Sequence, residues 1–402
     1  MSVPGRTTLE ACSGRRAVSA SDLLLYCERW QRNDPVTVFD VFETAEWKKA
    51  ADWLDYDESD PRSMVQFMGL ECPPYGAPRN GHWYRLPPRE LWHRVEPVGN
   101  QGRDSLLFRH RLAGRPKIDF RRLRVPPPSQ QPTETRPPRL PRPQGPLELE
   151  VVGCGQGNWN EVRAPNFRLI YDVGADVRWS GDLVRRLVHR QIGNSKPMET
   201  HVVISHWDAD HYHALLGFTD AQLSCIRSMT APPSPQNQTS KRVLTRCREF
   251  FPVWELPPAA GDGGRRIVLK KIHSDEWLDW YRGSKGQSRN QTGIVLAVHG
   301  KKTTALLTGD HHHPKIREAL DGIPFDSMVY VVPHHGGEAG KFDPSAWGTV
   351  AERFEAAFSH GNPKRFGHPK RVNENAAIAL CGSTHSVFHT DGHRSRSWPL
   401  CT

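Results

Sequence analysis

The chain has 402 residues, 37% of them hydrophobic, which is enough for two domains and a sizeable core. Its formal charge of +10 and pI of about 9.3 are typical either of a protein that meets a polyanion such as nucleic acid or of a merely basic soluble protein. No run of about 18 apolar residues and no apolar leader core occur, so we expect neither a membrane span nor a secretory signal.

The eight cysteines are scattered, and no two of them stand in a C-x-x-C pair. A structural zinc knuckle and a disulfide framework are therefore not expected. The simplest interpretation is a reduced, cytoplasmic protein. No oligomeric state follows from the sequence.

Residues 1–125 are predicted to form one folded α+β region without a catalytic constellation. The spacing of apolar residues predicts helices over Asp22–Arg32 and Ala45–Leu54. Alternation on either side of a turn at 113–116 predicts a hairpin over Ser105–Arg124. This region is the candidate for binding a protein partner.

Residues 126–146 are rich in proline and arginine, which excludes a helix or a central strand. An extended linker is the favoured interpretation, and a ligand for a proline-recognising domain is the alternative. Nine arginines and lysines fall within residues 111–142 against one aspartate and one glutamate, so part of the positive charge is concentrated here.

Residues 147–402 have a different sequence pattern, in which apolar runs alternate with helical stretches over short connections. This alternation predicts a layered α/β domain. The predicted strands are Leu147–Val152, Phe167–Tyr171, His201–Ile204, Arg266–Ile272, Gly293–Val298, Thr303–Leu307, Met328–Val332, Phe354–Phe358 and His385–His389. The predicted helices are Asp182–Arg190, Ser240–Phe250 and Lys315–Leu320.

A dense polar run from Ser205 to His211 directly follows the short apolar strand 202–204. It contains four potential metal ligands within six residues, namely His206, Asp208, Asp210 and His211. So many ionisable groups in one tight loop repel each other and are costly to desolvate unless a cation compensates them. The run therefore predicts a metal site.

Three later apolar runs also end in polar groups. They lead to Asp310, to the pair His334 and His335, and to His368. Strand ends at one edge of a sheet converge in space, so these residues can share a pocket with the first cluster. Carboxylates and imidazoles suit Zn²⁺, Mn²⁺ or Fe, and two cations about 3.5–4 Å apart can activate a water for phosphodiester hydrolysis.

The run His206-x-Asp208-x-Asp210-His211 resembles the H-x-[HD]-x-D-H signature of the metallo-β-lactamase superfamily. The nearest likeness is to the soluble C-terminal domain of the ComEC family of DNA-uptake proteins. It extends from about Leu147 to about Trp398 through an ordered series of short motifs. These are Gly155–Asn158, Leu169–Gly174, Ser205–His211, Asn290–Gly293, Leu306–Asp310, Pro333–Gly336, Phe366–Pro369 and Thr390–Gly392.

The resemblance implies an αββα sandwich with two divalent metal ions, Zn²⁺ or Mn²⁺, at one edge of its two sheets. It implies that His206 and Asp208 hold one metal, and that Asp210 and His211 hold the other. Asp310 would bridge the two ions.

The same resemblance implies that His334 or His335 completes the coordination and that Asp172 is a buried carboxylate orienting the metal-binding loop. His368 would be a ligand, a phosphate contact or a proton donor. Asp210, His335 and His368 are the expected catalytic residues.

The chain departs from the general superfamily pattern in three respects. Asp208 stands where most members have a second histidine, which makes Mn²⁺ a competitor to Zn²⁺. Asn290 or a nearby group stands where many members supply a further histidine, so one metal is expected to be weakly held or to keep extra waters. The membrane channel of ComEC is absent, so DNA uptake is not inferred.

Three other features have plainer interpretations. The run Gly153–Gly157 lacks the lysine of a P-loop and is predicted to be a turn between strands, with Cys154 a buried thiol. His311–His313 is predicted to be a polar first turn before a helix at Pro314. The aromatic and basic residues within 270–289 are either a substrate wall or an amphipathic helix on the sandwich; they are Trp277, Trp280 and Tyr281 with Lys270, Lys271, Arg282, Lys285 and Arg289.

The leading hypothesis is a metal-dependent phosphodiesterase, a nuclease acting on DNA or RNA. The first alternative is a hydrolase of small esters or cyclic nucleotides, since the same site serves both. A narrow pocket closed by residues 230–290 would favour the small substrate, and an open basic groove would favour the nuclease. The second alternative is a partner-binding regulatory protein with a weakly active site.

Overall fold

The structure is a computed structural model of the chain. It describes seven strands within residues 23–123, and residues 136–400 except for 177–178, 180, 194–197, 234–237, 262–265, 287, 321–324, 362–366 and 392. The backbone separates into two compact units, residues 1–127 with 236–239, and residues 128–235 with 240–402. The domain limits taken from the sequence, at 125 and 147, stay a prediction.

The described strands of the first unit form one seven-stranded sheet in the order β5-β6-β3-β2-β1-β4-β7. Their bounds are β1 Leu23–Arg29, β2 Val38–Val41, β3 Met64–Met68, β4 His82–Leu86, β5 Val95–Pro97, β6 Ser105–His110 and β7 Arg121–Leu123.

Two predictions for this unit were wrong. The segment predicted as the helix Asp22–Arg32 contains strand β1, whose alternate residues Leu25 and Cys27 are buried. Its apolar run fits a period of two as well as a helical one, and pairing with β2 and β4 decides between them. The predicted hairpin Ser105–Arg124 does not form, because β6 and β7 lie far apart in the sheet. The predicted helix Ala45–Leu54 lies outside the described residues.

The second unit contains two seven-stranded sheets. Sheet 1 has the order β13-β12-β11-β10-β9-β8-β21, and sheet 2 has the order β14-β15-β16-β17-β18-β19-β20. The bounds in sheet 1 are β8 Glu148–Val151, β9 Trp159–Ala164, β10 Phe167–Val173, β11 Glu199–Val203, β12 Ile226–Ala231, β13 Val253–Glu255 and β21 Arg396–Pro399. The bounds in sheet 2 are β14 Leu269–Ser274, β15 Leu278–Gly283, β16 Ile294–His299, β17 Thr303–Leu307, β18 Phe325–Val331, β19 Ala351–Phe358 and β20 Val387–His389.

Helices accompany both sheets. The α-helices described in this unit are α1 Gly181–Ile192, α2 Ala209–Tyr212, α3 Asp220–Leu223, α4 Gln238–Phe250, α5 His313–Ala319, α6 Pro344–Trp347 and α7 Arg371–Cys381. Short 3₁₀ turns cover His213–Gly217, Pro333–Gly336 and Thr384–Ser386. Among the described residues, none of the helices combines the length and the apolar character needed to cross a membrane.

The main core lies between the two sheets. Leu169 and Tyr171 of β10 pack there with Leu296 of β16 and Leu307 of β17. A second cluster on the far face of sheet 2 joins Tyr330 to buried side chains of α5, α6 and α7. On sheet 1 the intervening residues of β10 and β11 are also buried, and α1 buries an apolar face of its own. The layers are therefore helix, sheet, sheet and helix, which confirms the predicted αββα sandwich.

The central strands bring their carboxyl ends to one edge of the sandwich. In sheet 1, β10 to β13 run parallel, and in sheet 2, β17 to β20 run parallel. In sheets of parallel strands, ligand sites lie beyond these ends. The segments that follow β10, β11, β17 and β18 contain most of the predicted site residues.

Residues 277–283 were misjudged from the sequence. Both interpretations were wrong, because Leu278–Gly283 is strand β15, in which every residue is buried. Trp280 faces the core between the sheets, whereas Tyr281 belongs to the outer cluster. The Gly153–Gly157 segment is the connection between paired strands β8 and β9, as predicted. The end of the proline-rich segment is packed rather than free, since Leu140 is buried in the main core.

Candidate metal centre

The run from Ser205 to His211 forms a tight turn between β11 and the short helix α2. Asp208 stands immediately before α2, with an extended backbone, and His211 lies within the helix and is fully buried. The backbone is closely packed here, because a Cβ added to Gly174 would lie 1.9 Å from the carbonyl oxygen of Asp210. Glycine at 174 is thus required for the 205–211 turn to approach β10.

Asp172, at the end of β10, holds this turn in place. Its Oδ1 accepts a hydrogen bond from the backbone N–H of Ser205 at 2.6 Å, and its Oδ2 accepts one from the Ser205 hydroxyl at 2.8 Å. Oδ2 also accepts from Asn158 Nδ2 at 2.8 Å and lies 2.7 Å from His211 Nδ1. A carboxylate can only accept here, so Nδ1 of His211 carries the proton and Nε2 points into the site.

Two groups of side chains offer ligand atoms within 4.8 Å of one another. The first is His206, His211 and Asp310, and the second is Asp210, His211 and His335. The separation is 3.1 Å from His211 Nε2 to Asp310 Oδ1 and 3.2 Å from His335 Nε2 to Asp210 Oδ2. The loop after β11 and the ends of β17 and β18 therefore meet at one point.

The donor atoms at this point suit a divalent cation. Nε2 of His206, His211 and His335 and Oδ1 of Asp310 are buried without an acceptable hydrogen-bond partner among the described residues. Buried polar atoms are normally satisfied, so four such atoms facing each other indicate a missing ligand. Imidazole nitrogen and carboxylate oxygen are suitable donors for Zn²⁺ and Mn²⁺.

The electrostatics of these groups favour the same conclusion. Burial alone would raise the pKa of Asp310, but His334 and His211 hold it well below its usual range. Burial alone would lower the pKa of His211, but Asp310 and neighbouring carboxylates raise it well above its ordinary value. Despite burial, the pKa of Asp210 is lowered by His211 and then by its contact with His335, and the same contact raises the pKa of His335. Without metal, protons on imidazoles balance the buried carboxylates, and a cation can replace those protons.

The residues after β18 adopt an unusual backbone conformation. His334 and His335 both have a φ of 54°, in the left-handed region that non-glycine residues seldom occupy. This turn brings His335 into the second group, where its Nδ1 lies 2.5 Å from the carbonyl oxygen of Ser359. His334 lies further out, with its Nε2 3.8 Å from Asp310 Oδ2.

The remaining predicted residues stand at the periphery of the two groups. His368 is buried beside His334, with their rings edge to face at 5.4 Å. Asp208 Oδ2 is 3.4 Å from His206 Nε2, but Asp208 belongs to neither ligand group. Asn290, predicted to replace a histidine, has its Nδ2 3.3 Å from Asp310 Oδ2. The structure thus brings five of the predicted ligands together and leaves Asp208 and His334 at their edge.

The histidines after Asp310 are not the polar first turn predicted from the sequence. His311 and His313 are both fully buried, and burial lowers the pKa of each to about 3. His313 stacks on the ring of Phe342 at 4.3 Å and its Nδ1 lies 2.7 Å from the Tyr330 hydroxyl. Helix α5 does begin here, with Pro314 in its first turn.

Two contacts that support the site were not predicted from the sequence. Ser359 positions His335 through a backbone carbonyl, for which no side-chain pattern exists. Arg289 donates from Nη1 to the carbonyl oxygen of Trp207 at 2.8 Å and to Asp208 Oδ1 at 3.3 Å. The sequence signal for its role was its position directly before Asn290, a predicted site residue.

An αββα sandwich with imidazole and carboxylate groups at one edge is the architecture of the metallo-β-lactamase fold. No protein-family model matches the sequence, and no curated protein matches it. Among solved structures, the chain is similar to the short form of human tRNase Z, with 15% identity, a TM-score of 0.35, and coverage of 53% of this chain and 92% of that chain.

Two further solved structures are similar at the same level. One is the metallo-β-lactamase fold protein YhfI from Bacillus subtilis, with 12% identity, a TM-score of 0.35, and coverage of 63% of this chain and 100% of that one. The other is a diphosphatase of the PhnP family, with 12% identity, a TM-score of 0.35, and coverage of 64% and 99%. Likenesses of this strength assign neither an activity nor a substrate.

Proposed function

We propose that the second unit is a metal-dependent hydrolase that cleaves phosphodiester bonds, a nuclease acting on DNA or RNA. The observation that carries the proposal is the convergence of His206, His211, Asp310, Asp210 and His335, with buried donor atoms left unsatisfied. Such an arrangement is costly for a protein to keep without a cation, and its chemistry fits hydrolysis.

The two ligand groups would hold two divalent ions. The first group is His206, His211 and Asp310 and the second is Asp210, His211 and His335, so His211 is common to both. In this proposal Asp310, which lies 3.1 Å from His211 Nε2 and 3.9 Å from His206 Nε2, bridges the two ions. Bound divalent ions supply Lewis acidity and an activated water for attack on the substrate. We propose Zn²⁺ or Mn²⁺, because a site of nitrogen and oxygen donors accepts both.

The protein's own groups fix the geometry of this site. Asp172 holds His211 through Nδ1, and the Ser359 carbonyl holds His335 in the same way, so both rings present Nε2. His368 and His334 lie together at the periphery of the groups. In this proposal His368 is the proton donor to the leaving oxygen.

Charge supports a polyanionic substrate. The chain has a formal charge of +10, and nine arginines and lysines fall within residues 111–142. Residues 230–290 are the segment expected to show whether the site is an open basic groove or a narrow pocket. Parts of this segment, 234–237, 262–265 and 287, lie outside the described residues.

The test is a cleavage assay with the full chain loaded with Zn²⁺ or Mn²⁺, using labelled single- and double-stranded DNA and RNA. We expect cleavage, and we expect Asp310→Ala to reduce it at least about 10²-fold while lowering the metal content. Asp326→Asn is the matched control, because Asp326 is exposed on β18 outside the site. Absence of cleavage by protein shown to contain two metal ions would refute the nuclease proposal, and turnover of small esters alone would redirect it.

A further inference from the structure

Asp208 is held by a different kind of partner from the other carboxylates of the centre. Its Oδ1 faces the Arg289 guanidinium at 3.3 Å, while Oδ2 faces His206 Nε2 at 3.4 Å. Both side chains of the ion pair are buried, with 10% of Arg289 and 7% of Asp208 exposed. Asp208 is also one of the two predicted ligands, with His334, that fall outside both groups of converging atoms.

The position of Arg289 is fixed by the fold. It lies in the connection between β15 and β16, where the N–H of Ile294 donates to the carbonyl oxygen of Ser205 at 2.9 Å. Its own Nη1 donates to the carbonyl oxygen of Trp207 at 2.8 Å. The guanidinium is thus anchored to the metal-binding loop by a backbone contact as well as by the carboxylate.

Asp208 and Asp210 differ in their partners, and this difference determines how readily each carboxylate can bind a metal ion. Asp210 Oδ2 lies 3.2 Å from His335 Nε2, a nitrogen that can itself bind a metal ion. Asp208 pairs with a guanidinium, which stays protonated at any working pH. A divalent ion beside His206 must therefore share Asp208 with a fixed positive charge and must bind close to that charge.

We propose that Arg289 is a positioning residue whose guanidinium engages the Asp208 carboxylate. This ion pair makes the metal position beside His206 the one with the lower metal affinity. This inference rests on the proposed metal centre. The neutral Asn290 next to it, 3.3 Å from Asp310, adds no charge that would offset the guanidinium. The second metal then binds only at higher metal concentration, so activity depends on metal supply as well as on substrate.

The test measures metal binding by the full-length protein without substrate. Metal-free wild type, Arg289→Gln and Arg289→Lys are titrated with Mn²⁺ and with Zn²⁺ against a chelator of known affinity, and the bound equivalents are counted by elemental analysis. We expect one tight and one weaker equivalent in the wild type. Arg289→Gln should tighten the weaker one at least about tenfold, within the range by which partners of metal ligands change affinity. Arg289→Lys keeps the charge and should keep the weaker binding.

Asp208→Asn is the companion variant. It should lose the weaker equivalent and keep the tight one, and adding Arg289→Gln should not restore it. The proposal is overturned if Arg289→Gln leaves the weaker affinity unchanged or lowers it, or if Asp208→Asn binds both equivalents as the wild type does. Binding of no metal by the wild type would instead refute the proposed function, and binding without nucleic-acid cleavage would refute the nuclease while leaving the result for Arg289 intact. Thermal unfolding of each metal-free variant confirms that it is folded.

Discussion

Replacing Asp172 with asparagine perturbs the centre without removing any converging ligand. The carboxylate accepts from the Ser205 N–H at 2.6 Å through Oδ1, and it faces Asn158 Nδ2 and His211 Nδ1 through Oδ2. An amide has one acceptor and one donor end. Whichever way it is placed, its NH₂ group faces at least one of these donors.

The magnitude follows from those contacts. Loss of a carboxylate that orients a metal-binding histidine lowers metal affinity by about 10- to 100-fold. That range corresponds to about 1.4–2.7 kcal/mol of binding free energy. Since Asp172 is fully buried, each donor left unsatisfied also lowers the free energy of unfolding by about 1–3 kcal/mol.

The assay is a competition titration of Mn²⁺ and Zn²⁺ with a chelator, accompanied by urea unfolding of the metal-free protein. Ser205→Ala is an intermediate variant, because it removes the hydroxyl contacts to Asp172 Oδ2 at 2.8 Å, His206 Nδ1 at 2.9 Å and His211 Nδ1 at 3.2 Å, but it leaves Asp172 with its backbone contact and its contact to His211. We expect its loss of affinity to be smaller than that of Asp172→Asn. If Asp172→Asn bound both metals with wild-type affinity, the assignment of Asp172 as the group that orients His211 would be wrong.

Three further predictions concern packing, pH and proton release. Gly174→Ala would place a Cβ 1.9 Å from the carbonyl oxygen of Asp210, so we expect a loss of about 1–3 kcal/mol or more in unfolding free energy together with lower metal content. Burial lowers the pKa of His313 from the ordinary 6.5 to about 3. The folded protein therefore keeps this side chain neutral, and its contribution to the free energy of unfolding is complete above pH 6.5 and is lost as the pH falls towards 3. At pH 5, His313→Gln should remove about 2 kcal/mol of the acid destabilisation measured by urea unfolding. Because the pKa of His211 and of His335 is raised, metal uptake near neutral pH should release protons, which calorimetry in buffers of different ionisation enthalpy detects.

Controls for these measurements lie elsewhere in the same unit. Gly348→Ala makes a much milder contact away from the site, with the Pro344 carbonyl oxygen 3.3 Å from the added Cβ, and should leave metal content unchanged. Equal losses of metal for Gly174→Ala and Gly348→Ala would contradict the packing argument. For His313, an identical pH dependence in the variant and the wild type would show that another group titrates. A calorimetric enthalpy independent of buffer would show that no protons are released.

The layered fold and the converging ligands followed from local patterns. Apolar runs that end in polar groups locate the ends of β11, β17 and β18, and parallel strands align those ends at one edge. His206, His211 and Asp310 could therefore be placed together before their distances were known. Short-range sequence patterns and the common geometry of parallel sheets were sufficient for this part.

Other features depended on contacts that no local pattern contains. Strand β15 was misjudged because Trp280 and Tyr281 face opposite sides of a sheet that is buried on both. The left-handed backbone of His334 and His335 has no marker in the sequence, because non-glycine residues seldom adopt a positive φ and no glycine stands at either position. The pairing of Arg289 with Asp208 joins positions far apart in the chain, and it is visible only once the connection after β15 is folded against the loop after β11.

The burial of Leu140 sets a practical limit on how the second unit can be isolated. A fragment begun at residue 147, where composition changes, would lack this side chain and leave an apolar gap at the end of the core between the sheets. Loss of a buried leucine of this kind costs about 2–5 kcal/mol. A fragment that starts a few residues before Leu140 should therefore melt at a higher temperature than one that starts after it, and a protease that trims the proline-rich segment should stop short of this residue.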